Sequence, residues 1–162
     1  VIYNEKVLIE QEDAKEIADG EEVTFMDWGN VIATKVHKNA EGIVTGIDAK
    51  LHLEGDFRKT SKKLTWLADT PDKVEVELVD FDHLITKDKL DEGDNFEDFI
   101  TPNTEFHSTA FADVNVRDLK EGDIIQFERK GYFRVDKDLS SGKIVLFTIP
   151  DGKTVSKYGA KK

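Results

Sequence analysis

The chain has 162 residues, 38% of them hydrophobic, which is enough for one medium domain or two small ones with buried cores and excludes a disordered chain. It has no cysteine, which excludes a disulfide framework and thiolate metal sites and favours a reducing compartment. Its formal net charge of -11 argues against indiscriminate nucleic-acid binding, which depends on neutralising phosphates with Lys and Arg.

The N-terminal stretch VIYNEKVLIEQED has neither the basic start nor the long apolar run of a signal peptide. No window of the sequence approaches the roughly 20 apolar residues that are needed to span a bilayer. The sequence therefore predicts a cytoplasmic protein with no membrane partner.

A series of short segments, each rich in alternating or β-branched apolar residues and bounded by turn residues, predicts strands. In chain order these are KVLIE (6–10), EEVTFMDW (21–28), NVIATKVH (30–37), GIVTGIDAKLHL (42–53), KLTWLAD (63–69), KVEVELVDF (73–81), DIIQFER (123–129), GYFRVD (131–136) and KIVLFTIPD (143–151). Such sheets usually close, and no Pro/Gly/Ser linker divides the chain, so we expect a mainly β fold of two antiparallel β-barrels packed directly against each other.

Helical patterns are short and predict single turns at DAKEIADG (13–20), NFEDFI (95–100) and NVRDLKEG (115–122). We expect residues 13–72 to form one barrel, and residues 1–12 with 73–154 to form the other, because KVEVELVDF would return the chain to the barrel begun by KVLIE. The ending VSKYGAKK (155–162) predicts a disordered basic tail.

Catalytic motifs are weak throughout the sequence. KTSKK (59–63) imitates a loop that stabilises ATP phosphates, but that loop belongs to folds of parallel strands and crossover helices, which this β-rich chain does not predict. The four histidines lack the spacing of a helical metal pair, and the carboxylates of DKLDEGDNFE lack the register of a calcium loop. We predict no catalytic residue, no metal site and no cofactor within this chain.

The segment QFERKGYF (126–133) is the strongest candidate for a binding site. The Gln126 amide both donates and accepts hydrogen bonds, and the planar Arg129 guanidinium donates several, so the pair suits a flat ligand such as an unstacked base. If the alternating apolar residues around them face a core, Gln126 points outward, and Arg129 is released from alternation by the turn. The apolar residues in question are Ile125, Phe127, Phe133 and Val135.

Several separate segments of the sequence are similar to one known family. They are VTFMDWGNVIATKVHKNAEG (23–42), KTSKKLTWLADT (59–70), FDHLITK (81–87), GDIIQFERKGYFRVD (122–136) and IPDGKTVSKYGAKK (149–162). In them the chain resembles the C-terminal anticodon-binding region of eukaryotic cytosolic glutamyl-tRNA synthetases, a region shared with glutaminyl-tRNA synthetases.

The resemblance implies that residues 1–154 form two β-barrels, of a type also found in a ribosomal protein, that grip the anticodon loop of the tRNA for glutamate. It also implies that the catalytic domain of the glutamate-tRNA ligase lies upstream in the same chain, with the ATP and glutamate sites. On this view residues 1–162 recognise tRNA and are themselves non-catalytic.

The resemblance also assigns residues. Gln126 and Arg129 fall on the two positions that hydrogen-bond the middle anticodon base in the glutaminyl relative, a uridine in both tRNAs. Lys15 and Lys130 follow as weaker anticodon contacts. Thr24 and Met26 stand where the glutaminyl relative has two arginines, so that part of its recognition does not transfer to this chain.

Two further groups of residues have more than one interpretation. Basic side chains precede and begin the strand at 63–69, where they either contact the tRNA backbone or solvate a loop. Aromatic side chains either stack on bases or pack in the core. The basic group is Arg58, Lys59, Lys62 and Lys63, and the aromatic group is Trp28, Trp66, Tyr132 and Phe133.

Two other functions compete with anticodon recognition. The acidic surface could dock basic partners within a complex of synthetases, or a barrel could bind structured ribosomal RNA. The second needs a broad basic face, which a net charge of -11 makes hard to build. Neither function accounts for Gln126 and Arg129 together, so the sequence favours tRNA.

Overall fold

The computed structural model describes residues 1–151 and divides the chain into two compact units, Val1–Pro71 and Asp72–Lys162. Each unit has its own main sheet and its own buried core. The mainly β prediction, with short helical turns, is confirmed. The basic tail predicted at 155–162 lies outside the described residues.

In the first unit, the main sheet has the order β4-β3-β2-β5, and a two-stranded sheet pairs β1 with β6. All of these pairings are antiparallel except that of β2 with β5. One short helix, α1, spans Gln11–Ala14. The strands are β1 (Val7–Leu8), β2 (Glu22–Phe25), β3 (Gly29–Lys38), β4 (Val44–Leu51), β5 (Lys63–Leu64) and β6 (Leu67–Ala68).

The core of the first unit lies on one face of its main sheet. Val23 and Phe25 of β2 alternate with Glu22 and Thr24, as a half-buried strand requires, and the apolar pair faces the core. The other buried members of this core are Ile17, Val31, Ala33 and Leu64. The opposite face of β2 and β3 therefore presents polar side chains.

Among the described residues of the second unit, 72–151, the strands form a five-stranded sheet with the order β8-β7-β11-β10-β9. Its pairings are antiparallel except that of β7 with β11. Three 3₁₀ turns connect the strands, at Phe96–Phe99, Val114–Asp118 and Leu139–Ser141. The strands are β7 (Val74–Phe81), β8 (Glu105–Ala112), β9 (Ile124–Phe127), β10 (Gly131–Lys137) and β11 (Ile144–Thr148).

The core of the second unit is built by the alternation that the sequence predicts. Its buried members from the strands are Val74, Val76, Leu78, Ala112, Phe133, Val135, Ile144 and Leu146. Ile125 and Phe127 of β9 pack against them, and the Phe127 and Phe133 rings lie 5.2 Å apart. The hairpin of β9 and β10 therefore stands on a packed apolar base.

Two details differ from the predicted barrels. Within residues 1–151 neither main sheet closes, since β4 and β5 end one sheet and β8 and β9 end the other. Residues 1–12, expected to join 73–154, contribute β1, which pairs with β6 of the first unit, and the Asp69 amide donates to the Lys6 carbonyl at 2.9 Å. A short apolar strand fits many sheet edges, so its pattern does not specify a partner.

No helix in the described range 1–151 is long and apolar enough to cross a membrane.

Candidate functional site

The hairpin of β9 and β10 presents Gln126 to solvent, as the alternation predicts. Gln126 lies directly opposite Tyr132, and Ile124 lies opposite Arg134, so these four side chains share one face of the sheet. Tyr132 is 51% exposed and Ile124 is 67% exposed. An amide on the edge strand β9 and an aromatic ring on its neighbour β10 thus lie side by side, where a flat ligand has access to both.

Arg129 occupies an unusual backbone conformation in the turn of this hairpin. Its φ is 63°, in the left-handed region that glycine and asparagine favour, and Gly131 follows at φ 124°. The Lys130 amide closes the turn on the Phe127 carbonyl at 3.0 Å, and both Arg129 and Lys130 are exposed. A bulky residue in this conformation stores strain of the kind that gathers at binding sites.

A buried polar cluster lies on the opposite face of the first unit's sheet from its core. The Thr24 hydroxyl donates to Asn30 Oδ1 at 2.8 Å and contacts the Thr60 hydroxyl, and all three residues are buried. Asn30 Nδ2 donates to Glu22 Oε1 at 2.8 Å, and His52 Nδ1 lies 2.7 Å from the same oxygen. These five residues are called the polar cluster below.

Hydrogen bonds from His52, and then from Asn30, hold the pKa of Glu22 below its ordinary value. The Thr24 hydroxyl is buried within the polar cluster, where its two contacts are with Asn30 and Thr60. Met26 is half-buried, and its carbonyl accepts the Trp66 indole N–H at 2.8 Å.

The four basic candidates of residues 58–63 divide into two pairs. Lys62 donates to Glu21 Oε1 and to the Glu16 carbonyl, both at 2.6 Å, and its hydrogen bond lowers the pKa of Glu21. Lys63 donates to the Thr60 carbonyl and, at 2.9 Å, to the Thr60 hydroxyl. These two lysines bind the protein itself.

Arg58 and Lys59, the second pair, are exposed, and the Arg58 guanidinium carbon lies 5.7 Å from the centroid of the Phe57 ring. Lys15, the weaker anticodon candidate, is also exposed and caps the C-terminus of α1. Lys15 belongs to the first unit and Gln126 to the second, so the role of Lys15 as an anticodon contact stays a prediction.

The aromatic candidates separate by burial. Trp28 and Trp66 are half-buried, their ring centroids lie 4.6 Å apart, and both pack against the first core. Phe133 is 3% exposed within the second core. Only Tyr132 of the four predicted candidates is an exposed platform beside Gln126.

One cluster of titratable side chains elsewhere is a group of ion pairs on a strand face. His107 lies 2.8 Å from Glu105 and contacts Glu77 on the neighbouring strand, and hydrogen bonds to Glu77 and then Glu105 raise its pKa. Lys143, and then His107, lower the pKa of Glu77. Within residues 1–151, no three His, Cys, Asp or Glu side chains are arranged to hold a metal ion.

Two family models match this chain, and each is described as the anti-codon binding domain of class I tRNA synthetases for E and Q. One matches residues 1–52 and the other residues 63–136, so together they cover more than half of the chain. The chain belongs to this family. The resemblance to this family that separate segments of the sequence indicate is confirmed.

Relatives in three organisms are similar over nearly the whole chain. The cytoplasmic glutamate-tRNA ligase of Saccharomyces cerevisiae is 63% identical over 100% of this chain. The probable cytoplasmic glutamate-tRNA ligase of Schizosaccharomyces pombe is 59% identical over 99% of it, and the bifunctional glutamate/proline-tRNA ligase of Cricetulus griseus is 40% identical over 95%. The chain spans 22% of the length of each yeast relative and 11% of the hamster relative.

Sequence reasoning missed the polar cluster and Phe57. Thr24 and Asn30 alternate with apolar residues, and the loop that contains Gly55 and Thr60 packs over them. The one signal was Gly55, where a Cβ would lie 2.7 Å from Asn30 Nδ2 and 2.8 Å from His52 Nδ1.

Proposed function

We propose that this chain recognises the anticodon of the tRNA for glutamate, and that Gln126 and Arg129 hydrogen-bond its middle base, a uridine. The observation that carries the proposal is the left-handed backbone of the exposed Arg129, at φ 63°, in the turn of the hairpin on which Gln126 and Tyr132 share one face. Membership of the anticodon-binding family supports the same assignment.

The donor and acceptor patterns give the two residues different tasks. Uracil presents O4 as an acceptor, whereas cytosine presents an N4 amino donor in the same place. The Arg129 guanidinium can only donate, so at that position it accepts uracil and rejects cytosine. The Gln126 amide can rotate to donate or accept, so it positions the base and discriminates less. Stacking on Tyr132 would add roughly 1 to 3 kcal/mol for any base.

The free energy of these contacts then selects the cognate tRNA. A correct base satisfies Arg129 and Gln126, whereas a wrong base leaves polar groups unpaired, at a cost of about 1 to 3 kcal/mol for each lost hydrogen bond in a desolvated contact. Lys130 in the same turn and Lys15 on α1 would contribute weaker, less selective contacts.

We further infer that the chain works within a longer cytoplasmic glutamate-tRNA ligase, whose catalytic residues, ATP site and glutamate site lie outside residues 1–162. The names and lengths of the yeast relatives support this, since each is a glutamate-tRNA ligase of which this chain spans 22%. On this proposal residues 1–162 select the tRNA and the remainder carries out the chemistry.

A second candidate function, docking of a basic partner in a synthetase complex, rests on the segment between β7 and β8. Residues 82–104 contain more acidic than basic side chains, and they expose Leu84 at 74%, Phe96 at 52% and Ile100 at 47%. This surface does not explain the geometry of Arg129, so we place it second.

The test compares binding of this chain to glutamate tRNA and to a variant with cytidine as the middle anticodon base. We expect a loss of roughly tenfold, which is about 1.4 kcal/mol. Arg129→Ala should bring the ratio of the two dissociation constants close to one. Arg117→Ala, which removes an exposed arginine of the same unit, is the matched control and should preserve it. Equal binding of both tRNAs by the unmodified chain would overturn the proposal.

In the full ligase, Arg129→Ala should weaken aminoacylation of the cognate tRNA and leave formation of the glutamyl adenylate nearly intact. An equal loss of aminoacylation and of adenylate formation would contradict an anticodon role.

A further inference from the structure

We propose that Phe57, Arg58 and Lys59 form a second RNA contact, in which Phe57 stacks on an unpaired base and the two cations contact adjoining phosphates. The proposal rests on tRNA binding as the function of the chain. These residues belong to the first unit, whereas Gln126 and Arg129 belong to the second.

Phe57 combines exposure with flanking positive charge. Its ring is 55% exposed, and the Arg58 guanidinium lies over it at 5.7 Å from the centroid. Lys59 follows directly and is exposed. Aromatic faces stack on any base, and adjacent cations neutralise the phosphates that lead to and from that base, which is how single-stranded nucleic acid is bound.

Hydrogen bonds on the buried side fix the loop that carries Phe57. The Phe57 carbonyl accepts the hydroxyl of Thr60 at 2.9 Å, and Thr60 is buried against Thr24 of the polar cluster. The Arg58 amide donates to Asp56 Oδ1 at 3.0 Å. Because the backbone is already ordered, binding at Phe57 loses little conformational entropy.

The bonds of Lys62 and Lys63 explain why only part of this basic run is available to a ligand. Both lysines are occupied by protein oxygens that hold the loop to the sheet. Arg58 and Lys59 extend from the same loop into solvent. In a chain of net charge -11, this is a small cationic site that suits one or two phosphates and not a broad RNA surface.

The first arm of the test measures stacking through binding of this chain to glutamate tRNA. Phe57→Ala should weaken binding roughly 5- to 150-fold, the range expected for one stacked base. Phe57→Trp should retain binding, and its added fluorescence, over that of the unmodified chain, should be quenched by the RNA. Phe111→Ala is the matched control, because Phe111 is 51% exposed with the Lys73 amine 5.4 Å from its ring centroid, and it should bind normally.

The second arm measures phosphate contacts through the salt dependence of binding. Arg58→Ala and Lys59→Ala should each reduce the slope of log affinity against log salt by about 0.7. An unchanged slope in both variants would overturn the phosphate contacts.

The outcomes separate this inference from the proposed function. If Phe57→Ala binds like Phe111→Ala while the preference for a middle uridine persists, the second contact is wrong and anticodon recognition stands. If the unmodified chain shows no preference, yet Phe57→Ala weakens both tRNAs, the second contact stands and recognition by Arg129 fails. No binding to either tRNA would overturn both.

Discussion

Arg129 links a cost in folding to a gain in recognition, and substitution by glycine and by alanine separates the two. Both substitutions remove the guanidinium and every contact that it makes. Only glycine removes the strain of a left-handed backbone at φ 63°. The difference in stability between the Arg129→Gly and Arg129→Ala variants therefore isolates the backbone, and the loss of recognition that they share isolates the side chain.

The expected difference can be worked out from two terms. A left-handed conformation costs an L-residue about 1 to 2 kcal/mol, which glycine avoids. The greater freedom of glycine in the unfolded chain reduces this advantage by about 0.4 to 1 kcal/mol. We expect Arg129→Gly to be more stable than Arg129→Ala by about 0.8 kcal/mol, the difference between the midpoints of those two ranges.

The assay must report on the second unit alone. Both tryptophans of the chain, Trp28 and Trp66, lie in the first unit, so tryptophan fluorescence does not follow unfolding around Arg129. Hydrogen exchange of amides in the centre of the second sheet does, such as that of Val135, which donates to the Asp123 carbonyl at 2.9 Å. Fluorescence then serves as the internal control and should be the same in both variants.

Two results would refute the reasoning. Equal opening free energies for the glycine and alanine variants would show that the turn stores no strain at Arg129. Retained preference for the middle uridine in either variant would show that the guanidinium does not select the base. The expected result is a glycine variant that is more stable than the alanine variant and equally unselective.

Three further substitutions test other parts of the structure. Gly55→Ala forces a Cβ into the polar cluster and should lower the free energy of unfolding of the first unit by about 1 to 3 kcal/mol, measured by denaturation followed through tryptophan fluorescence. Gly46→Ala places its Cβ in open space and should change that free energy little. Similar losses in the two variants would contradict the packing. His107→Gln removes a group whose pKa is raised, so the variant should unfold at a lower temperature than the unmodified protein. This difference in thermal stability should be complete below about pH 6.5 and disappear as pH rises through the raised pKa. A difference that grows with pH would contradict the ion pairs. Lys62→Met should destabilise the first unit above the ordinary pKa of Glu21, with the difference lost as pH falls through its lowered pKa, and should leave the salt dependence of tRNA binding unchanged.

The strands of this fold follow from local pattern, and their partners do not. Alternation located both strands of the hairpin that carries Gln126 and the long strand β7. It missed β8, because Ser108, Ala110 and Ala112 occupy the positions opposite the apolar residues of β7, where large apolar side chains would have shown the period. The parallel pairings of β2 with β5 and of β7 with β11 join segments that are distant in sequence, which local periodicity cannot specify.

The candidate site, like the fold, was predictable where it depends on local pattern and not where it depends on distant contacts. The outward direction of Gln126 follows from its apolar neighbours, whereas the φ of Arg129 depends on how the turn closes, and arginine itself gives no signal for a left-handed backbone. Thr24 and Asn30 alternate with apolar residues and so resemble solvent-facing positions. Their burial depends on a later loop that brings Thr60, 36 residues after Thr24, into contact with the Thr24 hydroxyl.

The acidity of the chain bears on how the tRNA is chosen. Few cations flank either candidate contact, Arg129 and Lys130 at the hairpin and Arg58 and Lys59 at the loop, so neutralisation of phosphates supplies little of the affinity compared with a basic binder. Phosphate contacts are the same for every tRNA, and a protein that relies on them less gains selectivity at the expense of affinity. On the proposed function, hydrogen bonds to one unstacked base decide which tRNA is held, and this gives a reason for an arginine in a strained conformation that glycine would adopt more easily.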